Sequence, residues 1–183
     1  MNRPAARLLL VTLLLTAAAG RAAEVPYLTG RVTDTAQLLS SGTARSLTEL
    51  LRAHEERTGN QIAVLTVPSL DSESVEDFAA QVFEEWRLGQ RGKDNGLLIL
   101  VAPNDRRMRI EVGYGLEATV TDARAGRIIR DVMTPWFRDH DYDAGIAEGA
   151  AAVVQLLETG AAAALDERPE SAPASDGSSF LAV

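Results

Sequence analysis

Four oxygen-bearing residues invite a chemical reading: Asp94, Asn95, Glu117 and Asp122. Hard divalent cations such as calcium or magnesium take several oxygen ligands, and carboxylates and amide carbonyls supply them. The four lie on separate stretches, so only a fold can bring them together. Each also has an ordinary structural reading. Asp94-Asn95-Gly96 is turn chemistry, and an Asp before a helical run is a cap. Arg109 carries a guanidinium suited to phosphate recognition, and Glu111 lies on the same strand face, where the two also make a surface pair. Asp139-His140-Asp141-Tyr142-Asp143 opens like a calcium loop, but Ala144 and Ala150 stand where that loop needs Gly and Glu, so Asp143 reads as a helix cap. His54 and His140 are too far separated to read as a zinc pair, and no Gly-x-Ser-x-Gly elbow is present.

The elements that must position these groups follow from periodicity. Ala44, Leu47, Leu50, Leu51 and His54 recur at helical spacing and stop at Gly59. Gln61 to Val67 is a short strand rich in β-branched residues. Val75, Phe78, Ala79, Val82, Phe83 and Trp86 form the stripe of a second helix. Leu97 to Val101 is apolar throughout, which requires cover on both faces. Asn104-Asp105 turns the chain into Met108, Ile110 and Val112, which alternate with Arg107, Arg109 and Glu111. Asp122 is expected to cap a third helix ending at Pro135, and Asp143 a fourth ending at Gly160. A strand–helix–strand unit pairs in parallel, and the tight turn returns the next strand antiparallel. The expected fold is therefore α/β, a three-layer α/β/α sandwich on a small mixed sheet. Short edge strands near Arg31-Val32 and Ala118–Val120 could extend it. One end of this sheet gathers Gly59-Asn60, Lys93–Gly96, Gly113–Glu117 and Asp122.

The chain ends read differently. Arg3 and Arg7 precede the apolar run Leu8–Ala19, and small residues follow to Ala22, the pattern of a secretory signal over residues 1–22. That run is short for a bilayer core of about 30 Å. Residues 23–160 make the folded domain. Residues 161–183 are rich in Ala, Pro, Ser and acid, a flexible linker, and end on Phe180-Leu181-Ala182-Val183, either the start of a membrane helix or an incidental end. The formal charge of −8 becomes −11 without Arg3, Arg7 and Arg21, which disfavours nucleic acid. There is no cysteine, hence no disulfide, thiolate metal site or cysteine nucleophile.

Over residues 27–158 the chain resembles TPM-domain proteins, the family of YgcG-type bacterial exported proteins and thylakoid-lumen phosphatase-like proteins. The resemblance lies in Val32-Thr33-Asp34, Trp86 with Gly89-Gln90, Lys93–Gly96, Arg109–Glu117, Thr121-Asp122-Ala123, and Asp141-Tyr142-Asp143 with Gly145-Ile146. It implies an exported, periplasmic or extracytoplasmic α/β/α module, often tethered by a membrane helix. It further implies a divalent cation as ligand and a role in assembling or maintaining a membrane protein complex. Acid phosphatase activity is the alternative the resemblance implies, with a metal activating water and Arg109 holding phosphate.

Overall fold

The computed structural model describes residues 23–160. The expected signal segment and linker lie outside the described residues. The elements in order are β1 (Val32–Asp34), α1 (Ser41–Thr58), β2 (Gln61–Thr66), α2 (Val75–Glu85), β3 (Gly96–Ala102) and β4 (Arg107–Val112), followed by a 3-10 turn (Tyr114–Leu116). Then come α3 (Asp122–Arg127), a wider π turn (Ile128–Met133), α4 (Thr134–Arg138) and α5 (Tyr142–Thr159).

The four strands pair in sequence order. β1 runs parallel to β2, with Val32 opposite Val64, and β2 parallel to β3, with Gln61 opposite Gly96. β4 returns antiparallel, with Leu97 opposite Val112 and Ala102 opposite Arg107. The expected mixed sheet is thus present, as is the edge strand at Val32. Ala118–Val120 forms no strand; it belongs to the turns after the 3-10 segment.

Alternation along β3 divides the core into two halves. Leu97, Ile99 and Val101 face α1, α5 and the helical run from α3 to α4, where Leu51, Ile128, Met133, Phe137, Ile146 and Val153 are buried. Leu98, Leu100 and Ala102 face α2 and meet Phe78, Ala79, Val82 and Trp86. Every residue of β3 is buried, so each large side chain there contributes about 1.5–3 kcal/mol of apolar burial. This two-sided cover makes the three layers.

Three caps differ from expectation or refine it. Ser74 caps α2 as read: its hydroxyl oxygen accepts from the Asp77 amide at 3.0 Å, while that hydroxyl donates to the Asp77 carboxylate at 2.7 Å. The cap of α3 is Thr121, which accepts from the Arg124 amide, and Asp122 is the first helical residue. The cap of α5 is Asp141, which accepts from the Ala144 amide at 3.0 Å. Asp143 instead accepts from the Ser40 amide and the Thr43 hydroxyl, both at 2.7 Å, tying the start of α5 to the start of α1. The helical run does not stop at Pro135. The π turn shifts the backbone register, Thr134 Oγ1 donates to the Ile129 carbonyl at 2.8 Å, and Pro135 sits in the first turn of α4, where a missing N–H is tolerated.

Candidate functional site

The wiring of the sheet defines two ends of the molecule. At one, here termed the rim, α1 and α2 finish, β2 and β3 begin, β4 finishes and α3 begins. The second loop of the rim, Lys93–Asn95, packs directly on the third, Gly113–Gly115. The Gly115 amide donates to the Asp94 carbonyl at 3.0 Å, and the Gly113 amide to the Gly96 carbonyl at 2.9 Å. No side chain fits between them. A Cβ on Gly113 would lie 2.3 Å from the Asp94 carbonyl oxygen, and one on Gly115 1.9 Å from that of Lys93. Asp94 itself adopts a left-handed backbone, φ 48°, which Asp tolerates better than most residues.

Asn95 is the lynchpin beneath. It is only 6% exposed. Its amide group donates to the Gly59 carbonyl at 2.8 Å and lies 3.4 Å from Asn60 Oδ1, while its Oδ1 accepts from the Gln90 amide at 2.8 Å. Gln61 accepts from the Gly89 amide at 2.9 Å. These side chains lock the end of α2 onto the starts of β2 and β3. Asn95 was expected among the cation ligands; its carboxamide is buried and engaged in this lock.

Asp94, Glu117 and Asp122 are exposed. The fold brings the backbone of Asp94 against the turn that leads to Glu117, and it starts α3 at the same end. It does not gather their carboxylates into a cage. Among the described residues, no group of three or more His, Cys, Asp or Glu is placed to hold one metal ion. A preformed three-carboxylate site is therefore not what the rim offers, and a cation there would need water and backbone oxygens to complete its shell.

Arg109 lies mid-strand opposite Leu100 and pairs with Glu111 at 3.0 Å, both partly buried. His54 is fully buried in α1. Its Nδ1 lies 3.2 Å from Glu158 Oε1, its Nε2 has no hydrogen-bond partner, and Arg57 closes on the same Glu158 carboxylate. Glu158 is held below the usual carboxylate range, first by the Arg57 hydrogen bond and then by His54, against a smaller opposing effect of burial. At the opposite end of the molecule, Glu73, Glu76, Asp105 and Arg107 line a cleft of about 350 Å³, with one oxygen each of Glu73 and Glu76 buried and unpartnered. The order of elements gathers Asp71 and Asn104-Asp105-Arg106 at this end, and the cleft forms there between the loop before α2, the first turn of α2 and the β3–β4 turn.

Sequence reading also passed over two roles. Asp34 is a turn anchor: it accepts from the Leu38 and Leu39 amides at 3.0 and 2.9 Å and from the Thr66 hydroxyl. Tyr114, between the two locked glycines, is 80% exposed.

A small mixed sheet between helical layers, with a rim of interlocked glycine-bearing loops, defines an α/β/α sandwich module. The TPM domain model matches residues 32–156, and the chain belongs to that family. Among solved structures, the chain is similar to the N-terminal domain of a protein from P. gingivalis, with 39% identity, 72% of this chain and 83% of that one covered, and a TM-score of 0.68. It shares its fold with the N-terminal domain of the cg2496 protein of Corynebacterium glutamicum, at 20% identity, 86% and 95% coverage and a TM-score of 0.52. The same holds for the BA42 protein of the psychrophilic bacterium Bizionia argentinensis, at 22% identity, 72% and 91% coverage and a TM-score of 0.56. No curated protein matches the chain.

Proposed function

We propose that this chain is an extracytoplasmic TPM-type binding module that takes a divalent cation, calcium or magnesium, on its rim and assists assembly or maintenance of a membrane protein complex. The observation that carries this reading is the lock between Lys93-Asp94 and Gly113–Gly115. It holds the loops bearing Asp94 and Glu117 side by side, with exposed carboxylates, at the end where α3 presents Asp122. Such a site is open and water-rich, in keeping with the weak affinities, Kd of about 10⁻⁴–10⁻³ M, of extracellular calcium modules. The acidic balance of the chain favours cations and basic protein surfaces.

The test is a calcium titration of the purified protein followed by its melting temperature. With a Kd of that order, millimolar calcium lies at about 1–10 times Kd and would add about 0.4–1.4 kcal/mol of stability, and Asp94→Asn or Asp122→Ala would abolish the rise. No rise at millimolar calcium in the unaltered protein overturns the reading. A metal-dependent phosphatase would need a phosphate anchor beside the cation. Arg109 is engaged by Glu111, while Val112 is the β4 residue at the rim. A chromogenic phosphomonoester assay is expected to give turnover indistinguishable from buffer, with and without metal.

A further inference from the structure

We propose that the outer edge of β4 is a self-association site. A second copy of this chain adds its own β4 antiparallel, across a two-fold axis through Ile110, and the two sheets join into one. The proposal is independent of the cation reading above.

The two edges of the sheet differ. β1, at one edge, spans only three residues, and a short edge strand is an ordinary guard against strand addition. β4, at the other edge, runs for six residues in unbroken register with β3 and without proline. Hydrogen-bond direction shows which of its backbone groups the sheet leaves unused. The Gln61 amide donates to the Asn95 carbonyl and the Val67 amide to the Val101 carbonyl, both at 2.9 Å, so the odd-numbered residues of this stretch face β2. The even-numbered ones face β4, where the Gly113 amide donates to the Gly96 carbonyl at 2.9 Å and Glu111, Arg109 and Arg107 stand opposite Leu98, Leu100 and Ala102. The amides and carbonyls of Met108, Ile110 and Val112 therefore point away from the sheet. Among the described residues, none of them has a backbone partner outside it. Met108 and Ile110 bury their side chains in the core, so this edge offers backbone rather than apolar surface.

A row of unpaired N–H and C=O groups is completed by an extended strand. The charged side chains say which strand. Arg109 and Glu111 share the α2 face of β4, paired at 3.0 Å, with Ile110 between them in sequence. In an antiparallel pair of β4 strands the outward-pointing residues must form the hydrogen-bonded pairs. With Ile110 opposite Ile110, Met108 stands opposite Val112, and Arg109 stands opposite Glu111 of the second copy, twice by symmetry. These charged positions are the closer, non-hydrogen-bonded ones, where side chains meet. A shift of the pairing one way puts Arg109 opposite Arg109, and a shift the other way puts Glu111 opposite Glu111. Like charges directly opposite are unfavourable. Charge thus selects a single register, and β4 itself is the strand that satisfies it. An isologous contact of this kind closes at two copies. One strand pair buries little, which places the contact among weak interfaces, below about 1,200 Å².

The experiment is sedimentation equilibrium of the full chain at concentrations up to about 1 mM, on the unaltered protein and a charge series. The terminal segments are common to every variant, so the comparison between variants carries the result. The unaltered chain is expected to pass from monomer to dimer. Glu111→Arg sets Arg against Arg, and Arg109→Glu sets Glu against Glu; each should weaken dimerisation by about tenfold or more. The double variant Arg109→Glu with Glu111→Arg should dimerise as the unaltered chain does. An equimolar mixture of the two single variants should form the mixed dimer. Each single variant also loses its internal Arg109–Glu111 pair, but mixing cannot repair that loss, so the mixture separates association from folding. Amide exchange is the second readout: the Met108, Ile110 and Val112 amides should exchange more slowly in concentrated than in dilute protein. A monomer throughout, equal dimerisation by all variants, or no mixed dimer overturns the proposal. Edge amides protected equally at every concentration mean that the chain covers its own edge, and overturn it as well.

Discussion

The α-carbon of Gly115 faces the carbonyl oxygen of Lys93 so closely that a methyl group there would lie 1.9 Å from it. Both atoms belong to backbone, so neither can swing aside. Gly115→Ala should therefore cost about 3 kcal/mol, at the upper end of overpacking penalties. Gly92→Ala is the matched control: nothing lies near its added methyl, but φ is +77°, so only the left-handed penalty of about 1 kcal/mol applies. Urea denaturation of both variants checks the order. Equal losses would refute the contact.

Asn95→Ala should destabilise by about 2–3 kcal/mol, because it leaves the Gly59 carbonyl and the Gln90 amide without their partner in a buried place. Asp94→Asn, exposed and outside that lock, should stay within about 0.5 kcal/mol of the unaltered protein when no calcium is added. The two neighbours thus separate structure from ligand binding, and equilibrium unfolding in a chelator measures the difference.

Acid should weaken the contact between α1 and α5 at both ends. Burial favours the protonated form of Asp143, but hydrogen bonds from Thr43 and Ser40 outweigh it and lower its pKa. Glu158 is lowered chiefly by Arg57. A depressed folded pKa means stability that is present above the unfolded value of about 4 and lost as pH falls through the folded one. The melting temperature should hold from neutral pH to about pH 5 and decline below it. Asp143→Asn should be the less stable protein at pH 7, with the gap closing toward pH 3. A constant gap across that range would show that the charge of Asp143 does not matter.

His54→Leu should be neutral or stabilising by up to about 1 kcal/mol. The buried imidazole leaves Nε2 without a partner, and an apolar replacement removes that cost. Glu158 keeps Arg57. A loss of about 3 kcal/mol in thermal unfolding would mean that the link from His54 to Glu158 outweighs the orphaned nitrogen.

The layers of this fold were legible because apolar periodicity depends on local spacing alone. β3 is buried at every position, as an unbroken Leu-Leu-Ile-Leu-Val run requires. Gly59 and Gly160 end their helices in left-handed conformations, φ +80° and +61°, as helix-stopping glycines do. The caps were harder to place. Thr121 and Asp122 are both good cap residues, as are Asp141 and Asp143, and a shift of one or two positions is decided by which backbone amides face them. Asp143 was drawn away by Ser40, a residue distant along the chain that no local pattern connects to it.

The candidate site divides along the same line. Which turns share the rim follows from strand direction, and strand direction was implied by the order of elements. Whether carboxylates converge is another matter, because it depends on side-chain reach across loops. Asn95 went to a buried backbone lock, while Asp94, Glu117 and Asp122 were left in solvent. Residue types and their spacing determined the layers, the strand directions and the glycines that end the helices, since each rests on contacts between near neighbours or on one repeating face. Only the tertiary structure decided that two glycines clamp the Asp94 loop and hold Tyr114 outward. It also decided that Glu158, in the last turn of α5, meets Arg57 and His54 of α1, because these are contacts between segments far apart in the chain.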